Sequence, residues 1–194
     1  MIKSILKNIA YLYYPKGISN IEQKEIYQKS LEFKRLLSIT NNFSKENEYT
    51  ISYNLLLSEF KKHEKLKDIK DVSLLHWQDR ALSFEIDFLL DNKLNKLCLN
   101  ISLLIPYYVV ILLENEIELN PYKWVTLPKR NRILEATEYK DLLNLISSIV
   151  EDTIKYNKFP EDLVNTILPD LSFNDIRIGN FTFYNAFFLD DNKL

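Results

Sequence analysis

The residues in this chain best able to do chemistry are acids. Glu85 and Asp87 alternate with Phe84, Ile86 and Phe88, so on a strand both carboxylates share one face. Glu114, Glu116 and Glu118 repeat that spacing if a strand runs so far. Two carboxylates brought together can pass a proton between them or hold Mg²⁺. Acids alternating with apolar residues are also the ordinary look of a solvent-facing strand, and that reading is preferred here. Together with Asp190 and Asp191, the same acids would present a negative patch to a basic partner. Tyr122 and Trp124 could add aromatic anchors. The candidate partner-binding residues are therefore Glu85, Asp87, Glu114, Glu116, Glu118, Tyr122, Trp124, Asp190 and Asp191. No residue is assigned to catalysis, to a metal or to a cofactor.

Other chemistries are poorly served. Gly17 and Gly179 are the only glycines, whereas phosphate-cradling loops, dinucleotide fingerprints and nucleophile elbows need glycines in clusters, where the backbone turns tightly. The histidines are His63 and His76 alone, too few for a multi-histidine zinc centre. The segment "HWQDR" gathers His76, Gln78, Asp79 and Arg80; we take it as a polar entry to the first strand, with Trp77 on the core. Cys98 is the single cysteine; set in an alternating apolar run, it is expected to be a small buried hydrophobe. A chain without disulfide pairs suits the cytoplasm. Net charge is −2, with Lys and Arg interleaved among acids, so nucleic acid is not an expected partner.

These side chains must be held by elements, and the periodicities suggest which. Ile2, Ile5, Leu6 and Ile9 have helical spacing, which argues against an export signal because Lys7 interrupts the apolar run. Ser19 to Glu22 fits a capping box opening a second helix, with Ile26, Tyr27, Phe33 and Leu37 along it to about Thr40. A third helix from about Ser44 places Tyr53, Leu56, Leu57 and Phe60 on one face. "KKHEKLKDIKD" is expected to be a solvated connector.

From Arg80 the period changes to two. One strand carries Phe84, Ile86 and Phe88; after a turn at Asp91–Asn92 another carries Leu97, Leu99, Ile101, Leu103 and Ile105. The unbroken apolar run from Leu103 to Leu113 has eleven residues, about half what a membrane-spanning helix needs. Pro106 would break a helix there. A bend at Pro106 and a buried central strand from Tyr107 to Leu113 are expected, and no membrane span. After a proline-punctuated loop, Thr137 should cap a long helix over residues 138–156, and Pro160 a short one. "IRIGNFTFYNAFFLDD" suggests a turn at Gly179–Asn180 and an aromatic strand or hairpin completing the sheet.

The expected architecture is one α+β domain over residues 1–194. A mainly helical part (1–70) precedes a sheet-plus-helix part (80–194), the sheet being antiparallel with about four to five strands. "NIAYLYYPKGI", the strand pair "DRALSFEIDFLL" and "LCLNISLLIPYYVV", and the ending "FTFYNAFFLDD" together resemble the layout of small cytosolic immunity proteins of bacterial polymorphic-toxin systems. That resemblance implies a non-catalytic module capturing a cognate toxin or effector domain. The alternatives are a carboxylate-based metal-dependent hydrolase or nuclease, and a structural subunit whose apolar strands pair with another chain.

Overall fold

The computed structural model describes residues 1–42, 47–73, 79–90, 93–115, 132–133 and 140–190. The chain opens with α1 (Ile2–Ala10), α2 (Lys24–Lys29), α3 (Leu31–Asn42) and α4 (Asn47–Lys61), followed by a 3-10 turn at Glu64–Leu66. The sheet strands are β1 (Lys70–Asp71), β2 (Ala81–Leu90), β3 (Lys93–Ser102), β4 (Tyr107–Asn115) and β5 (Arg132–Ile133), in that spatial order. Then come α5 (Lys140–Ile154), β6 (Asn157–Lys158), α6 (Glu161–Val164) and α7 (Phe183–Phe187). The fold is α+β, with helices before and after the sheet.

The alternation in β2 and β3 decides the layers. Phe84 pairs with Leu99 and Ile86 with Leu97, and the row continues through Leu112 on β4. These side chains form one core with Leu56 and Phe60 of α4 and Ile146, Ile149 and Val150 of α5. Two hydroxyls fasten the helices to this face. Tyr108 on β4 donates to Glu151 on α5 at 2.8 Å, and Tyr53 on α4 donates to Asp71 on β1 at 2.5 Å. The opposite row, through Ala81 and Val109, joins a second core of Leu6, Ala10 and Tyr14 with the aromatic residues 159–188. α5 lies where the periodicity puts it. The bend at Pro106 is present, with β4 beginning at Tyr107.

Five local expectations need correction. The segment from Lys24 to Asn42 is two helices, because Ser30 is extended and its hydroxyl accepts from the Phe33 N–H at 3.2 Å, capping α3. The Ser19 hydroxyl does accept from the Glu22 N–H, but the Ser19 N–H donates to the Gln23 side-chain oxygen and not to Glu22, and α2 starts only at Lys24. The lysine-rich connector is structured: Leu66 and Ile69 are buried, and Lys70–Asp71 pairs with β2. The late strand that joins the sheet is β6, parallel to β4 at Tyr107 and Tyr108, which makes the sheet mixed.

The fifth correction concerns the aromatic ending, where Phe183–Phe187 is helical. Thr182 and Asn185 form a true capping box, and Phe183 stacks on Phe187 one turn later at 6.1 Å. Gly179 turns as expected, at φ +92°, without joining two sheet strands. The turn at Asp91–Asn92, the residues His76 to Gln78 and the cap at Thr137 lie outside the described residues. No described helix is long and apolar enough to cross a membrane.

Candidate functional site

Helices do not cover the second face of the sheet evenly. At the Ala81 end it is buried under α1 and α7, while towards Asp87 it carries polar side chains that reach solvent. Register puts Glu85 opposite Cys98 on β3 and Lys70 on β1, and Asp87 opposite Lys96. The lysines reach diagonally. Lys96 donates to Glu85 at 2.6 Å and Lys70 to Asp87 at 3.2 Å. The result is a lattice of alternating charge on three adjacent strands. Glu85 and Asp87 therefore share a face, as their spacing requires, but each carries its own counter-ion.

Cys98 departs from expectation. It is part-exposed on this polar row, its Sγ 3.9 Å from Glu85, instead of in the core. Strand parity explains it: Cys98 is out of phase with Leu97 and Leu99. Burial, with the Glu85 carboxylate beside it, pushes the thiol up to about 12, so it stays protonated at neutral pH. Burial alone would lower the Lys96 ammonium, but the bond to Glu85 outweighs it and holds that group above its ordinary value.

Asp190 has a different setting. It accepts from Nη2 of Arg80 at 2.6 Å, and from the Asn174 amide. Arg80 is fully buried, lies 4.8 Å over the Phe173 ring, and gives a second bond from Nη2 to the Asn185 carbonyl at 2.8 Å. Asn185, which caps α7, donates its amide to the Leu189 carbonyl at 3.2 Å. Tyr14 reaches the Ala186 carbonyl at 2.7 Å, and Tyr27 reaches that of Ser172 at 2.7 Å. These bonds fasten residues 172–190 to the start of β2 and to the N-terminal helices. The arrangement is a built anchor for the end of the chain, with Asp190 as the counter-ion of a buried cation.

Glu114 lies on β4, opposite Asn95 and Arg132 by register. Glu116, Glu118, Tyr122, Trp124 and Asp191 lie outside the described residues. Sequence reasoning missed Arg80 as an organising residue, and missed Lys70 and Lys96 as partners of the strand acids. The one local signal for Arg80 was a cation placed directly before the strand, next to the small apolar Ala81. Among the described residues no group of three or more His, Cys, Asp or Glu could hold a metal ion. No family model, no curated protein and no solved structure matches this chain.

Proposed function

We propose that this chain is a non-catalytic protein-binding module of the immunity type, which works in the cytoplasm of a bacterium by capturing a cognate toxin or effector domain. The observation that supports it is the open half of the sheet face. Three adjacent strands, β1 to β3, display Glu85, Asp87, Lys70 and Lys96 as two cross-strand ion pairs, with the apolar core on the other side of the sheet. Charges of both signs at fixed spacing favour one partner and repel others, and they speed its approach. Acid–base chemistry with Glu85 or Asp87 would first have to pull the carboxylate away from its lysine.

The test is retention of a partner. Tagged wild-type protein and the Glu85→Lys/Asp87→Lys double variant are incubated with native lysate and washed at low and then high salt. The retained proteins are identified and quantified. One stoichiometric partner, held by the wild type, weakened by salt and lost by the variant, is the expected result. A partner retained equally by both proteins, or none at all, rules this face out as the capture surface.

A further inference from the structure

We draw no further inference here: the strongest candidate, the exposed apolar side of α1 and the turn after it, formed by Ile2, Ile5 and Leu12, carries nothing because nothing in the structure shows what covers it.

Discussion

Arg80 shows how one side chain can hold a structure's end in place. Its guanidinium has left water completely, and its charge is met by Asp190, by the Asn185 carbonyl and by the Phe173 ring. Burial opposes the charge, but Tyr14 and Asp190 favour it, and the balance raises the group above its ordinary value, so it stays cationic. Removing one partner of such a set costs more than the set contributes, because the other partners are left unpaired. Arg80→Leu should therefore destabilise the protein by about 3 kcal/mol. Asp190→Asn keeps an acceptor oxygen and should cost less, about 1–2 kcal/mol. Urea unfolding of the three proteins measures this directly; a cost below that of an average surface substitution for Arg80→Leu would contradict the anchor.

At the scale of elements, α7 is the most instructive. Five residues are too few to hold a helix by propensity, so its caps and its packing must do so. The Thr182 hydroxyl donates to Asn185 Oδ1 at 2.8 Å and accepts from the Asn185 N–H at 3.3 Å, while Asn185 Oδ1 also accepts from the Thr182 N–H at 2.9 Å. Thr182→Ala should cost about 1 kcal/mol. Asn185→Ala should cost about twice that, since the same side chain also bonds the Leu189 carbonyl. Thermal melts in which Asn185→Ala costs no more than Thr182→Ala would show that the bond to Leu189 adds nothing, and melts in which neither variant loses stability would show that packing alone sets the helix. The strand pair makes the converse point. β2 and β3 are held by ten residues of register, and that register, not the acids' own spacing, delivers Lys96 to Glu85.

At the scale of the whole molecule, contacts between distant parts of the chain close the fold. Tyr11, Tyr14, Gly17 and Asn20 near the start all bond to residues 170–186. Asp170 carries one of these contacts in charged form. Burial alone would raise its carboxyl, but the Tyr11 hydroxyl, its own backbone N–H, Lys7 and Lys16 outweigh that and hold it below its ordinary value of 3.8. A carboxyl lowered on folding stabilises the native state above its unfolded value and loses that contribution as pH falls through the folded one. Stability should therefore drop as the pH is taken below about 4, and Asp170→Asn should flatten part of that limb. The effect is modest for a group still partly in water. Denaturant midpoints between pH 6 and 2.5 test it; identical acid limbs in both proteins would remove Asp170 from the account.

The amino-acid sequence alone determined the elements whose side chains sort by period. The alternation of Phe84 and Ile86 against Glu85 and Asp87, the proline that bends the chain before Tyr107, and the apolar stripe of α5 each carry their own phase, because one side faces a core and the other does not. Where every residue is buried there is no phase to read. Phe183 to Phe188 is buried at every position, so strand and helix look alike there, and the tertiary structure chose helix through the Thr182–Asn185 cap and the packing of Phe183 on Phe187. The charged groups follow the same logic. Sequence spacing placed Glu85 and Asp87 on one face, but β1 and β3 supplied a lysine to each. Asp190 became a counter-ion only because Arg80, 110 residues earlier, is buried beside it. Local spacing reports which way a side chain points, whereas its charge partner is set by segments that meet only once the chain has folded.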